Sequence, residues 1–429
     1  MSRRTIRTRL GFYGLIVVPF LLSACGSQPS LSDRITAHVT PFVKAGYFSG
    51  TLLIARANEV LYERSFGLAN EEHAVPFTPE TPSGIASITK PMTVVITARL
   101  IEEGKLSLDD KLSSWIPDFP EGDTITIDHL LNHRAGIPHR VTTPEQETVP
   151  RTAADMVELA KQKGLSFPRG ARSVYSSAGY SVLARVLELA GGKPYEDLLN
   201  VYLFEPLGMA HSAPADAQAL LRGRAQPYMS RGKGKINGPL QDLSFLVGAG
   251  SVYSTARDLF LMARAVVAGR LGEKVRQELI GEKGIVWNGS TNGYRAWVDW
   301  SKETDETYVL IANVQSGAND YFRQDLPRIV KGEDEAVRQV PEVKWVDVPR
   351  EKLEVYNGEY ELRPGSVMTV RAAEGGLYVN QWFLVPTSAD TFFSPQDFGR
   401  VSAVYDEAGH FSHFLWEFAG GTLDMKPVK

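Results

Sequence analysis

The fold is decided by residues 84–93, which read GIASITKPMT. They place Ser87 three residues before Lys90, at the start of a stretch, residues 92–103, whose apolar residues recur at helical spacing. Residues i and i+3 share one face of a helical turn, so the serine hydroxyl and the lysine amine can meet. A serine needs a neighbouring base to act as a nucleophile, and burial lowers the pKa of a lysine towards that role. The N–H groups of the helix N-terminus can stabilise an oxyanion near Ser87.

The serine–lysine spacing is weak evidence by itself, because about one chance match is expected in a chain of this length. A second match does occur, between Ser230 and Lys233. It lies in a Gly/Lys-rich stretch with no apolar helix after it. We predict that this second pair is accidental and exposed.

Other stretches that follow residues 84–93 strengthen the first match. They are LDDKL at 108–112 before WIP at 115–117, HLLNHRAGIP at 129–138, YSSAGY at 175–180, EPLGM at 205–209 and GSVYSTARDL at 250–259. In this order they resemble the class C and esterase branch of the serine β-lactamase and penicillin-binding protein superfamily. The resemblance covers about residues 33–330. It implies an α/β (α+β) fold of the β-lactamase/transpeptidase type, with an antiparallel sheet flanked by helices and an all-helical subdomain.

The resemblance also implies roles for individual residues. Ser87 is expected to form the acyl-enzyme, with Lys90 and Tyr175 sharing the proton transfers. A tyrosine has a reference pKa near ~10, so Tyr175 acts as a base only if a cation such as Lys90 holds its phenolate. The backbone N–H groups of Ser87 and Ser290 are expected to form the oxyanion hole. Ser177 stands where the family often has asparagine, which leaves open its role in orienting Lys90 or a substrate amide.

The third motif of the branch aligns with the triplet Trp287, Asn288 and Gly289. In β-lactam and D-Ala-D-Ala enzymes its first position is a cation that meets the substrate carboxylate, a contact that Trp287 cannot make. A Trp-x-Gly triplet at this position resembles the family VIII carboxylesterases. It implies that these three residues bind the substrate and that the substrate is a neutral acyl ester. The alternative is that Trp287 is only a packed strand residue.

Residues 331–350 predict a linker, because the charged run KGEDE is followed by Pro341 and Pro349. Beyond it, short strand-like runs with glycine-containing turns predict a small antiparallel barrel or sandwich over residues 351–429. This part resembles the lipocalin-like domain that is appended to some members of the branch, which implies a small antiparallel β-barrel. We expect its aromatic residues to fill its own core; the alternative is a barrel mouth that binds acyl chains or covers the active site. The aromatic residues concerned are Phe392, Phe393, Phe411, Phe414, Trp416 and Phe418.

The single cysteine in 429 residues, Cys25, excludes an internal disulfide or a thiolate metal cluster. Four arginines precede an apolar run at residues 10–22, which is shorter than a transmembrane helix normally requires. Residues 22–26 (LSACG) then resemble a bacterial lipobox, which implies a signal peptide over residues 1–24, acylation of Cys25 and a tether over residues 25–32. We expect an exported lipoprotein held at a membrane by acyl chains such as palmitate. Because glycine follows Cys25, a host with two membranes would hold it on the periplasmic side of the outer membrane.

Charge and motif spacing argue against several other classes. The chain has 46 basic and 50 acidic residues, and a net charge of −4 gives no general attraction for nucleic acid. The eight histidines show no zinc spacing, and His129, His133 and His139 cluster on a loop for which the resemblance implies a structural role of the first two. No dinucleotide fingerprint, phosphate loop or Gly-x-Ser-x-Gly elbow is present. We therefore predict neither a metal nor a cofactor.

Three functions fit these observations. The first is a membrane-anchored serine hydrolase that acts on small-molecule esters or amides through a Ser87 acyl-enzyme. The second is a D-Ala-D-Ala-type peptidase or β-lactamase acting on cell-wall peptides or β-lactams. The third is a non-catalytic lipoprotein that binds the cell wall, against which the intact Ser87, Lys90 and Tyr175 argue.

Overall fold

The computed structural model describes residues 29–216, 219–231, 234–363 and 366–428. The predicted signal peptide, Cys25 and the first part of the predicted tether lie outside these residues. The first helix begins at Leu31, inside the predicted tether. Its start is fixed by a capping box, in which Ser30 and Asp33 each accept a hydrogen bond from the other's backbone N–H.

The helices of the described residues are numbered in chain order. They are α1 (Leu31–Lys44), α2 (Thr89–Glu102), α3 (Leu112–Trp115), α4 (Ile127–Leu131), α5 (Ala153–Lys163), α6 (Ser177–Gly191), α7 (Tyr195–Leu199), α8 (Glu205–Leu207), α9 (Ala256–Val267), α10 (Glu273–Leu279), α11 (Ala318–Lys331) and α12 (Arg350–Leu353). Short 3₁₀ turns include Ala86–Ile88, immediately before α2.

The strands divide between the first 330 residues and the C-terminal part. The first group is β1 (Gly50–Arg56), β2 (Glu59–Phe66), β3 (Leu68–Asn70), β4 (Val75–Pro76), β5 (Ser83–Gly84), β6 (Ala213–Pro214), β7 (Tyr228–Arg231), β8 (Gly234–Asn237), β9 (Val252–Ser254), β10 (Gly284–Thr291), β11 (Tyr294–Ser301), β12 (Glu306–Ala312) and β13 (Val314–Gln315). The second group is β14 (Gly358–Arg363), β15 (Ser366–Ala373), β16 (Gly376–Val379), β17 (Trp382–Pro386), β18 (Thr391–Ser394), β19 (Gly399–Tyr405), β20 (Phe411–Phe418) and β21 (Gly421–Pro427).

The N-terminal body, by which we mean residues 31–331, is built on a five-stranded antiparallel sheet in the order β10-β11-β12-β1-β2. One face of the sheet, with Leu53 and Val309, joins the core that contains α9, α2 and α6. The other face, with Leu52 and Trp297, packs against α1 and α11. Because both faces are covered, β1 is buried at every residue except Arg56. Helices α2, α4, α5 and α6 pack on one another beside this sheet, which confirms the predicted combination of sheet and helical part.

The C-terminal part is a closed eight-stranded barrel formed by β14–β21, as predicted. Its interior is filled by side chains, among which Phe392, Phe414 and Trp416 are almost completely buried. Phe411 and Phe418 pack against them and are partly buried. Phe393 differs, since it faces out of the barrel and meets Trp345 with a ring-centroid distance of 6.0 Å. Aromatic residues therefore fill the barrel rather than line an empty cavity.

One contact between the barrel and the N-terminal body is made by residues 395–398, the turn between β18 and β19, which we call the docking turn. Gln396 in this turn donates a buried hydrogen bond to the Ser230 carbonyl on β7. Ser230 itself is 1% exposed. The prediction that Ser230 is exposed is therefore wrong, because the barrel covers β7. Lys233, the other half of that pair, lies outside the described residues.

Between the N-terminal body and the barrel the chain has little regular structure. Helix α11 ends at Lys331, and only the 3₁₀ turns Asp334–Ala336 and Glu354–Tyr356 and the short α12 precede β14. The predicted domain boundaries stay predictions. Within the described part of the chain, no helix combines the length and the apolarity that crossing a membrane requires.

Candidate active site

Ser87 lies in the 3₁₀ turn Ala86–Ile88, which is held tightly between a helix and a strand. The residue before it, Ala86, has a φ of +46°, a left-handed backbone conformation that is costly for a residue with a side chain. Gly289 of β10 lies directly against this turn. A Cβ atom at Gly289 would lie 2.0 Å from the Ile85 carbonyl oxygen and 3.3 Å from the Ser87 nitrogen. The glycine is therefore required for β10 to approach the predicted nucleophile.

Lys90 is buried in the first turn of α2, directly behind Ser87. Its Nζ donates hydrogen bonds to Ser87 Oγ at 3.3 Å, to Ser177 Oγ at 3.3 Å and to the Ala249 carbonyl at 2.9 Å. The side chain has no carboxylate among these partners, so burial lowers the pKa of Lys90 to about 7. A substantial fraction of Lys90 is therefore neutral at neutral pH and can accept a proton from Ser87.

Tyr175 lies just before α6 and contacts Ser87. Its hydroxyl donates a hydrogen bond of 2.8 Å to Ser87 Oγ, and its ring centroid lies 4.7 Å from Lys90 Nζ. Although the residue as a whole is 47% exposed, partial desolvation raises the pKa of Tyr175 above its usual value, and hydrogen bonds to Ser87 and Ser177 offset part of this. Tyr175 is therefore protonated at neutral pH and is suited to donate a proton, whereas Lys90 is suited to accept one.

His133 and His139 support the loop that carries Tyr175. Their ring centroids lie 4.7 and 5.5 Å from that of Tyr175. His133 Nδ1 accepts the backbone N–H of Ser176, and His139 Nδ1 accepts that of Ser177. Burial, assisted by the positive charge of Lys90, lowers the pKa of each histidine to about 4, so both are neutral.

The third histidine of the cluster, His129, is part of a separate arrangement. Its Nδ1 accepts the backbone N–H of Thr126 and so caps α4. Among the residues that the structure describes, no group of three or more His, Cys, Asp or Glu side chains is placed to hold a metal ion.

Ser290 lies next to the tight turn of the β10–β11 hairpin, at the free edge of the sheet. Thr291 pairs with Tyr294 across a two-residue turn, so these two exchange ladder hydrogen bonds. In an antiparallel pair hydrogen-bonded and non-bonded positions alternate, so the N–H of Ser290 points away from β11. The Ser87 turn packs against this same strand, through Gly289. Ser290 therefore follows directly after the glycine against which the turn of Ser87, the other predicted oxyanion donor, packs.

The other two members of the predicted triplet are separated by the sheet. Asn288 pairs with Trp297, whose side chain lies on the α11 face, and its amide oxygen accepts a 3.4 Å hydrogen bond from Arg323 of α11. Asn288 therefore faces away from Ser87, and the structure does not bring it to the site. Trp287 lies on the Ser87 face but is only 6% exposed, within the main core. Of the triplet, Gly289 is the residue whose backbone lies directly against the Ser87 turn.

Three features of the site are absent from the sequence-based prediction. The Ala249 carbonyl, which holds Lys90, comes from a Gly-Ala-Gly stretch whose small residues are the one available signal. The second feature is the contact of His133 and His139 with Tyr175, which depends on a fold that brings together residues about 40 positions apart. Gln315 donates a 3.2 Å hydrogen bond to Ser290 Oγ, and no motif marks it.

Comparison with known proteins adds to this geometry. The family described as Beta-lactamase matches residues 35–321. PbpX of Bacillus subtilis, whose name places it among penicillin-binding proteins, is 28% identical over 295 residues, which cover 65% of this chain and 74% of PbpX. The esterase EstB of Burkholderia gladioli is 30% identical over 236 residues, 50% of this chain and 60% of EstB.

Among solved structures, the fold is similar to that of the D-amino acid amidase of Ochrobactrum anthropi. The TM-score is 0.62 at 22% sequence identity, and the superposition covers 70% of this chain and 98% of the amidase. At this level of identity the likeness concerns the fold alone.

Proposed function

Because the chain belongs to the beta-lactamase family of serine hydrolases, we propose that it cleaves carboxylic esters or amides through an acyl-enzyme formed on Ser87. The observation that carries this proposal is the contact of one hydroxyl with two proton-transfer groups of different character. Ser87 Oγ lies 3.3 Å from the Nζ of Lys90 and 2.8 Å from the hydroxyl of Tyr175.

Acylation begins when Ser87 Oγ attacks the substrate carbonyl carbon and its proton passes to neutral Lys90. The carbonyl oxygen becomes an oxyanion, which the N–H groups of Ser87 and Ser290 stabilise. When the bond to the leaving group breaks, Tyr175 gives its proton to the departing oxygen or nitrogen, and the Lys90 ammonium restores the tyrosine proton. The products are a Ser87 ester and a free alcohol or amine.

Deacylation reverses these roles, with water in place of the alcohol. The same basic groups remove a proton from water, the hydroxide attacks the acyl carbon, and the proton returns to Ser87 Oγ as the carboxylic acid leaves. The neutral histidines His133 and His139 hold Tyr175 in place throughout. Their pKa values of about 4 mean that they gain no charge in this cycle near neutral pH.

We propose a neutral ester as the preferred substrate, rather than a peptide or β-lactam that carries a carboxylate next to the scissile bond. The support is that position 287, where the resemblance to β-lactam and D-Ala-D-Ala enzymes calls for a cation, holds a buried tryptophan. An indole cannot make a charge-assisted contact with a carboxylate. The esterase EstB is one of the relatives of this chain.

The test compares kcat/KM on p-nitrophenyl acetate and butyrate with kcat/KM on nitrocefin and on a D-Ala-D-Ala peptide. We expect the esters to be preferred by at least tenfold, and Ser87→Ala to abolish their hydrolysis. A preference for nitrocefin or the peptide would favour the peptidase or β-lactamase alternative. Unchanged hydrolysis in Ser87→Ala would favour the non-catalytic alternative.

We also propose that the chain is anchored to a membrane through acylated Cys25. The support is its position as the sole cysteine, directly after an apolar run with an arginine-rich start. Cells that express the full chain should incorporate an alkyne-labelled palmitate into it and retain it in the membrane fraction. Cys25→Ser should lose both the label and the membrane association; retention of both would contradict the proposal.

A further inference from the structure

Gln315 ties together the two ends of the turn that follows Ser290. Its Nε2 donates a hydrogen bond of 3.2 Å to Ser290 Oγ, and its Oε1 accepts the backbone N–H of Gly293 at 3.4 Å. The side chain therefore spans the β10–β11 turn from the α11 face of the sheet. Ser290 is the residue whose backbone N–H points to the free edge beside Ser87.

The docking turn of the barrel is hydrogen-bonded to the strand that pairs with β13, the strand of Gln315, and to the segment that follows β13. Gln315 is paired in register with Met229 of β7. One residue beyond Met229, the Ser230 carbonyl accepts a 2.9 Å hydrogen bond from Gln396. Two residues beyond Gln315, the Gly317 N–H donates a 3.0 Å hydrogen bond to the Pro395 carbonyl. Buried hydrogen bonds of this kind are costly to break, so they fix the position of the β7–β13 pair.

Gly317 shows how closely the barrel approaches. A Cβ atom added there would lie 2.5 Å from Phe398 Cγ and 2.7 Å from the Asp397 carbonyl carbon. The φ of Gly317 is −63°, which any residue can adopt, so its need for glycine comes only from the docking turn. Phe398 in turn packs against Tyr47 and Tyr321 of the N-terminal body, with ring-centroid distances of 4.8 and 5.1 Å.

We propose that Gln315 is a positioning residue for the oxyanion hole and that the barrel, through its docking turn, holds Gln315 in place. The proposal rests on the proposed function, because it concerns the Ser290 N–H that stabilises the oxyanion. Oxyanion donors act only when they are held within hydrogen-bond distance of the developing charge, so a small displacement of the hairpin lowers kcat. The barrel thus contributes to catalysis without contacting the substrate.

Two variants test this proposal, one at Gln315 itself and one at the contact with the docking turn. Gln315→Met keeps the length of the side chain and removes both hydrogen bonds to the hairpin. Gly317→Ala leaves the Gln315 side chain intact and adds a methyl group that clashes with the docking turn. For each we expect kcat on p-nitrophenyl butyrate to fall roughly tenfold with KM changed less than about twofold, since positioning affects the transition state more than substrate binding.

Phe411→Ala is the matched control, because the aromatic rings of the described residues that meet Phe411 all belong to the C-terminal part: Tyr356, Tyr360, Tyr405 and Phe414. It should leave kcat within about twofold of the wild-type value. Thermal unfolding of each variant is recorded to show that the assays are made on folded protein.

A second readout separates positioning from a general structural role. A thionoester replaces the carbonyl oxygen by sulfur, a poor hydrogen-bond acceptor, so its hydrolysis gains little from the oxyanion hole. Gln315→Met and Gly317→Ala should therefore lower the ester rate more than the thionoester rate, whereas a structural defect would lower both equally. Equal losses on the two substrates, or full activity in both variants, would overturn the inference. Loss of the proposed function itself would be seen separately, as unchanged hydrolysis in Ser87→Ala.

Discussion

The surroundings of Ser87 and the interior of the barrel are built in opposite ways. Around Ser87 the chain buries a lysine, with a pKa lowered to about 7, and holds Ala86 in a left-handed backbone conformation. The barrel interior buries apolar side chains such as Phe392 and Phe414, which pack without such costs. Local features that reduce stability persist at functional sites because activity requires them. The contrast locates the chemistry in the N-terminal body. It predicts that a variant at the site loses activity and gains stability, whereas a variant inside the barrel loses stability and keeps its activity.

The largest effect is expected from Lys90→Met, which should lower kcat/KM on p-nitrophenyl butyrate by about 10³-fold or more, because the base is removed. The same variant should be more stable than the wild type at pH 7, as measured by thermal or urea unfolding. The reason is that a side chain of similar length replaces an amine whose burial is unfavourable.

The sign of this stability effect follows from the lowered pKa of Lys90. Between about pH 7 and its usual pKa near 10.5, the unfolded chain binds a proton at this residue that the folded chain does not. The contribution of Lys90 to stability therefore rises with pH through this range and is most unfavourable at pH 7 and below. Lys44→Met, at an exposed position of α1, is the control and should change neither activity nor stability appreciably. A Lys90→Met variant that is active, or less stable at pH 7, would contradict the comparison.

Tyr175→Phe should have the next largest effect, a loss of about 10²-fold in kcat, because the leaving group no longer receives a proton. Tyr180→Phe is the matched control. Its hydroxyl donates to the Leu131 carbonyl, not to Ser87, so this change should cost about 1 kcal/mol of stability and little activity. Comparable kcat losses in the two variants would show that the phenol of Tyr175 has no special role.

The pH dependence of kcat/KM should show a single rise near neutrality. Lys90 must be neutral to accept the serine proton, so activity should fall about tenfold per unit below pH 7 and level off above it. The raised pKa of Tyr175 keeps it protonated across this plateau. A profile that is flat from pH 5 to 8, or that falls as the pH rises through 7, would mean that another group is the base.

The smallest effect on activity is expected from a change inside the barrel. Phe414→Ala removes a fully buried ring and should cost about 3–5 kcal/mol of unfolding free energy. Below the unfolding temperature kcat should stay within about twofold of the wild-type value, because the docking turn is not touched. Urea unfolding and ester hydrolysis measured on one preparation check both parts. A large kcat loss in the folded variant would show that the barrel interior itself supports the site.

Much of the fold and of the site was predictable because their signals are local. Ser87 and Lys90 are three residues apart on one turn, and the glycine-containing turns mark the strands of the barrel. The face of a sheet to which a side chain points is harder to predict from the sequence. The alternation along β10 turns Asn288 towards α11 although its neighbours face Ser87, and only the pairing with Trp297 shows which face is which.

Contacts between distant parts of the chain were not predictable. Ser230 is buried because a turn of the barrel, about 165 residues later, lies on β7. The Gln315 side chain donates a hydrogen bond to Ser290, and no sequence motif indicates that these two residues are close. Likewise the low pKa of Lys90 depends on its burial, which is a property of the packed site and not of the spacing.

The most direct test of the role of Ser87 is mass spectrometry of the full chain after reaction with a fluorophosphonate and, separately, with a slowly hydrolysed p-nitrophenyl ester. We predict a single covalent adduct from each reagent, located on Ser87 by peptide sequencing and absent from Ser87→Ala. An adduct on another residue, or turnover of the ester with no adduct on Ser87 under rapid quenching, would contradict the acyl-enzyme mechanism.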